Sequence, residues 1–198
     1  MFKRNKKSEF QNLLEEEKKK EKIKKEKVDI KWIIIIVIIA FVLSFCLSFV
    51  SQSTIPKVSL YVGIIITLLF IFIGVLFDIV GVAVTSADEA VFHSMNSRKV
   101  KGANIAVKFK KNADKVSNFC CDVIGDVCGV ISGTAAAAIA AILILKYNFN
   151  AILVSLIVTS IVSSLTIGGK AIGKSFAINK SDIILYSFAK IVSNFYKW

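Results

Sequence analysis

The sequence predicts an all-α integral membrane protein with four transmembrane helices. Three observations predict it. The 198-residue chain is 55% hydrophobic, with a mean hydropathy of +0.68. Its charges are segregated, whereas soluble domains mix them: residues 1–31 hold 12 of the 26 basic residues and 7 of the 14 acidic ones. Beyond them lie four apolar runs, each near the roughly 20 residues needed to cross about 30 Å of hydrocarbon. This pattern excludes a water-soluble enzyme and a nucleic-acid binder built on a basic fold. The formal charge of +12 reads as membrane topology rather than phosphate binding.

The charged tail, residues 1–31, comes first. Glu15→Lys19, Glu16→Lys20 and Glu21→Lys25 are favourable i,i+4 pairs for a solvated helix. The plainer reading is a charged leader that fixes topology; contact with anionic lipid is the other. Trp32–Val50 is the first span and holds no charge. Its leader and its apolar run are both too long for a cleaved signal, so it reads as a retained anchor. The second span, Val58 to about Thr85, is interrupted only by Asp78. The third, about Phe119–Leu145, carries Asp122 and Asp126 in its first turns. The fourth, about Ala151–Gly169, is rich in Ile, Val and Ser, with Ser155, Thr159 and Ser163 four apart.

Loop charges orient these spans. Lys and Arg number 12, 1, 7, 1 and 5 in the successive extramembrane segments. The alternation places both termini and the middle loop in the cytoplasm of a cell-membrane protein. In Ser181–Trp198, Ile184, Phe188, Ile191 and Phe195 form a helical apolar face ending near Tyr196 and Trp198. That suits a helix lying on the inner leaflet.

Polar residues within the spans need partners, because an ionisable group at mid-depth costs roughly 2.5–3.5 kcal/mol. Gly74, Asp78, Gly81, Thr85 and Asp88 share one helical face that cannot look at lipid. Gly125, Gly129, Gly133, Ala137 and Ala141 form a small-residue ridge for close helix approach. Carboxylates and hydroxyls dominate, and His93 is the only imidazole. That inventory suits hard cations such as Mg2+ and Na+. Asp88, Glu89 and Asp122 also read as solvated helix ends. Cys46, Cys120, Cys121 and Cys128 read as small buried hydrophobes. No catalytic triad, phosphate loop or HExxH motif occurs, so no enzyme activity or organic cofactor is expected.

Three motifs in order resemble the CNNM/CorC transmembrane domain. Thr85-Ser86-Ala87-Asp88-Glu89-Ala90, followed by Ser94-Met95-Asn96, resembles its "SASE…SLN" motif. Ile124-Gly125-Asp126-Val127 resembles "IGNN", and Gly169-Lys170-Ala171-Ile172-Gly173-Lys174-Ser175-Phe176-Ala177 resembles "GEIxPKxxA". The resemblance covers about residues 58–198, in a short form without the family's CBS pair. It implies a three-helix core, to which 32–57 adds an extra span and outer hairpin, with interfacial juxtamembrane helices. It also implies a homodimer in the lipid bilayer and transport of Mg2+ or Co2+, with Na+ as a coupling ion. The implied cation ligands are Ser86, Asp88, Glu89, Asp126 and Gly169. The chain departs from the pattern at Asp88, at Asp126-Val127, at Gly173 and above all at Lys170, where the family has Glu. An ammonium there repels a divalent ion. The departures therefore open a second reading: a degenerate, non-transporting structural or accessory protein of the same fold.

The charge alternation generates a topology test. Thiol labelling should mark Ser53→Cys from outside and Lys111→Cys from the cytoplasm; labelling of either from the other side would contradict this orientation.

Overall fold

The computed structural model describes residues 30–54 and 59–195, and among them no strand occurs. The helices are α1 (Ile30–Thr54), α2 (Leu60–Ser86), α3 (Glu89–Ser97), α4 (Ala103–Lys111), α5 (Ala113–Asn118), α6 (Asp126–Tyr147), α7 (Ala151–Asn179) and α8 (Ser181–Phe195). A π-helical segment, Phe119–Gly125, joins α5 to α6. Four helical stretches are long and apolar enough to cross a membrane: Ile30–Thr54, Leu60–Ser86, Ala113–Tyr147 and Ala151–Asn179. The charged tail up to residue 29, Lys57 in the first hairpin, and Tyr196, Lys197 and Trp198 lie outside the described residues.

The chain divides into two compact units, Met1–Val37 and Ile38–Trp198. Of the first, the opening turns of α1 are described, with Ile33, Ile34, Ile35 and Val37 exposed. In the second, α2, α6 and α7 pack against one another. Small residues set their separation. A Cβ on Gly74 would stand 3.0 Å from the Cys128 Cβ and 3.3 Å from the Gly125 carbonyl oxygen. One on Gly81 would collide with the Cys121 Sγ. On α7, a Cβ on Gly169 would meet Val75 at 3.0 Å, and one on Gly173 would meet Ile79 at 2.8 Å. Thus α2 is approached by α6 on one side and α7 on the other, both at glycine.

The hairpin between α6 and α7 is closed by two asparagines. Asn148 takes a left-handed conformation (φ 51°), and its N–H donates to the Ile144 carbonyl. The Asn150 side chain accepts from the N–H groups of Ile152 and Leu153, capping α7. Such an N-cap oxygen satisfies donors that the first helical turn leaves free.

The sequence face on α2 is buried at Gly74, Asp78 and Gly81, whereas Thr85 and Asp88 are exposed because the helix ends at Ser86. Gly129 and Gly133 of the small-residue ridge face open space: among the described residues nothing lies within 4 Å of a Cβ built on either. The inward face of α6 is Cys128, Ser132, Ala135, Ala136 and Ile139. A strict four-residue repeat drifts about 40° per step around a 3.6-residue helix, so a ridge starting inward at Gly125 turns outward within three steps. The inward face of α8 also differs. Leu185 and Ala189 are fully buried against Val84, Ala87, Phe92, Ala106 and Val107, while Ile191 is 57% exposed. The small side chain of Ala189 lets α8 seat on α4. Leu185 and Ala189 are thus spent inside the chain, while Ile183 and Ile191 stay exposed; the Phe195 side chain lies outside the description.

Gly173→Leu should lower stability by about 1–3 kcal/mol through overpacking. Gly133→Leu should leave the chain's own packing within about 0.5 kcal/mol of wild type. Thermal denaturation in detergent reads both, and equal losses would contradict the packing described.

Candidate functional site

Asp78 and Asp126 are the acids that the sequence places deepest in the core, and α7 answers each with a lysine. The segment Gly169-Lys170-Ala171-Ile172-Gly173-Lys174 repeats a Gly-Lys pair one turn apart. The glycines bring α7 onto Val75 and Ile79 of α2. The neighbouring lysines then reach two different helices. Lys170 Nζ donates to Asp126 Oδ1 on α6 at 2.8 Å. Lys174 Nζ lies 3.7 Å from Asp78 Oδ2 on α2.

The two pairs differ in enclosure. Asp78 is only 3% exposed, and its Oδ2 has no hydrogen-bond partner. The distance to Lys174 makes that contact an ion pair without a hydrogen bond. Asp126 is the converse: its side chain is 66% exposed, while that of Lys170 is 20% exposed. Charge is hydrogen-bonded where it is open on the acid's side, and loosely paired where it is enclosed. Beside Asp78, Cys121 Sγ donates to the Asp78 backbone carbonyl at 3.6 Å. The π-helical segment brings that thiol into the space left by Gly81. Wide turns of this kind recur at functional sites.

The remaining candidates occupy the turn between α2 and α3. Ser86 is the exposed last residue of α2. Asp88 is the N-cap of α3: its Oδ1 accepts from the Ala90 N–H at 2.9 Å, and its own N–H donates to Asp182 Oδ1 at 2.9 Å. Glu89 Oε1 pairs with His93 Nε2 at 3.2 Å, both side chains about half exposed. Lys110 Nζ donates to the carbonyls of Thr85 (2.7 Å) and Val84 (3.3 Å), closing the end of α2. The structure thus groups Asp126 and Gly169 with Lys170 at the helix crossing, and gives Asp88 and Glu89 partners at the turn. Among the described residues, no three His, Cys, Asp or Glu side chains come together as a metal-holding group.

Sequence reasoning identified Lys170 and the inward face of Asp78 but missed Lys174 as the partner of Asp78. The signal was present: the second Gly-Lys pair repeats the first at helical spacing. It also missed Lys110, whose capping role depends on a tertiary contact that local sequence does not encode.

No family model, no curated protein and no solved structure matches the chain. The CNNM/CorC resemblance therefore rests on its three motifs alone.

Enclosure generates the next prediction. Lys174→Met leaves the buried Asp78 without its cation and should cost about 3 kcal/mol. Adding Asp78→Leu should recover most of that loss, because a buried ion pair replaced by apolar groups is often neutral. Chemical denaturation in detergent measures both; a double variant no more stable than the single one would contradict the pairing.

Proposed function

We propose that this chain is a four-span membrane protein whose core supplies its own cations where the CNNM/CorC resemblance expects a divalent ion. On this reading it is a non-transporting structural or accessory membrane protein. The observation that carries the proposal is the 2.8 Å contact between Lys170 Nζ and Asp126 Oδ1. Asp126 stands where the resembled motif has asparagine, and Lys170 stands where it has a glutamate. A tethered ammonium at that place satisfies the carboxylate and repels a second cation.

Helix lengths support a membrane setting for these pairs. Counted from the outer ends of α2, α6 and α7, Asp78, Asp126 and Lys170 lie 18, 21 and 19 residues inward. At 1.5 Å per residue each stands about 27–32 Å along its helix, close to the thickness of the hydrocarbon layer. The ion pairs then form one layer at its inner edge. The ends of α2 and α7, with α3, α4, α5 and α8, lie beyond it on the cytoplasmic side of the cell membrane. The homodimer implied by the resemblance is part of the proposal, and the open ridge at Gly129 and Gly133 offers it a face for close approach.

The second reading is Mg2+ transport with Na+ coupling through Ser86, Asp88, Glu89, Asp126 and Gly169. One observation favours it: the buried Asp78 Oδ2 has no hydrogen-bond partner.

Melting curves of wild type and Asp126→Ala, each with and without millimolar Mg2+, separate the two. The proposal expects no Mg2+ shift for wild type. It also expects a less stable apo variant, by about 1 kcal/mol, because the partly buried Lys170 loses its counter-ion. A Mg2+-dependent rise in wild type that Asp126→Ala abolishes would establish the transport reading instead.

A further inference from the structure

We infer that the turn between α3 and α4, with the facing turn of α8, is a docking surface for anionic phospholipid headgroups. The inference rests on the membrane setting proposed above. Arg98, Lys99 and Lys101 lie in this turn, and Lys190 belongs to α8. All four are exposed, and among the described residues none of them is in an ion pair.

The turn holds the four cations on a fixed frame. The α3 helix ends with Lys99 N–H donating to Asn96 O and Val100 N–H donating to Met95 O. That closure puts Lys99 in a left-handed conformation (φ 55°), the position where glycine is ordinarily favoured. Gly102 follows at φ +88°, and a Cβ on it would meet the Lys190 Cα at 3.0 Å. Tyr186 OH donates to the Lys101 carbonyl, a second tie between α8 and the turn. Two successive left-handed turns and a backbone approach at glycine therefore assemble four like charges. Their mutual repulsion, and a lysine kept where glycine would relax the backbone, are costs that no ion pair offsets among the described residues.

The occupant follows from charge and from position. Lys110, at the far end of α4, caps the carbonyls of Val84 and Thr85 on α2. α4, a nine-residue helix about 13 Å long, links the patch to Lys110 at the end of α2. Anionic headgroups on the cytoplasmic leaflet attract basic groups over about one Debye length, 8–10 Å. The chain's own tail is a poor occupant, since residues 1–31 carry 12 basic residues against 7 acidic ones.

The full chain, purified in neutral detergent, is titrated with dioleoylphosphatidylglycerol or dioleoylphosphatidylcholine, and bound lipid is counted by native mass spectrometry. Wild type should take the anionic lipid roughly tenfold more tightly than the zwitterionic one, the effect expected of several surface cations. The variant Arg98→Gln/Lys99→Gln/Lys101→Gln/Lys190→Gln should lose that preference. Lys99→Gly should melt higher than wild type, since the left-handed strain is relieved, and yet bind the anionic lipid more weakly. Lys108→Gln/Lys111→Gln should keep the preference. The inference is overturned if the fourfold variant keeps it, if the Lys108/Lys111 variant loses it as fully, or if an oligoribonucleotide displaces the anionic lipid from wild type. Alkaline carbonate extraction tests the underlying reading separately. A chain released without detergent is not membrane-spanning; a chain that stays embedded but shows no lipid preference refutes the patch alone.

Discussion

A carboxylate within an apolar helix bundle must be neutralised, and the core is organised around that constraint. Asp78 belongs to α2 and Asp126 opens α6. Neither helix supplies a cation at their level. Both partners come from one stretch of α7, through lysines one turn apart. The cation has to arrive on a helix that also packs closely, so each lysine directly follows a glycine. Gly169 and Gly173 let α7 approach Val75 and Ile79, and the approach brings each ammonium within reach of its acid. Packing and charge compensation are one device, written twice in six residues.

The same economy runs through α2. Its inward stripe is Gly63, Thr67, Ile71, Gly74, Asp78 and Gly81. Thr67 returns its hydroxyl to the Gly63 carbonyl at 2.8 Å, so that polar group costs little where it is buried. Gly74 and Gly81 admit the π-helical segment, whose Cys121 fills the space beside Gly81. Beyond the ion pairs a second core forms from Val84, Ala87, Phe92, Ala106, Val107, Leu185 and Ala189. It fastens α3, α4 and α8 to the end of α2, with Lys110 capping the last carbonyls. These short helices are therefore a packed cap rather than a loose loop.

Much of this was legible from one-dimensional pattern. Apolar length marked four helices long and apolar enough to cross a membrane, and a lone Asp78 amid apolar residues marked an inward face. Lys170, an ammonium where the resembled motif carries glutamate, marked the place at which a divalent-ion site and a non-transporting core part ways. What was not legible depends on rotation and on tertiary choice. The Gly125–Gly129–Gly133 repeat looked like a continuous ridge, but helical drift carries it outward. The α8 face was read from its large residues, whereas the contact is centred on Leu185 and on Ala189, whose small size is what permits it. Glu89 matched a motif that Asp88 departs from, yet beside a helix start such residues also serve as an i,i+4 partner and an N-cap, which is where they stand. A motif match names residue types; only the fold decides which partner claims them.

The account stands on the claim that the Lys170 ammonium occupies the place of a cation. Exchanging that ammonium for the family's carboxylate tests it most directly. Lys170→Glu, melted in chelator and then in millimolar Mg2+, should be less stable than wild type without metal, because Glu and Asp126 would then repel across the helix crossing. Mg2+ should restore much of the loss while leaving wild type unmoved. A variant as stable as wild type in chelator, or a wild type that itself responds to Mg2+, would contradict the claim.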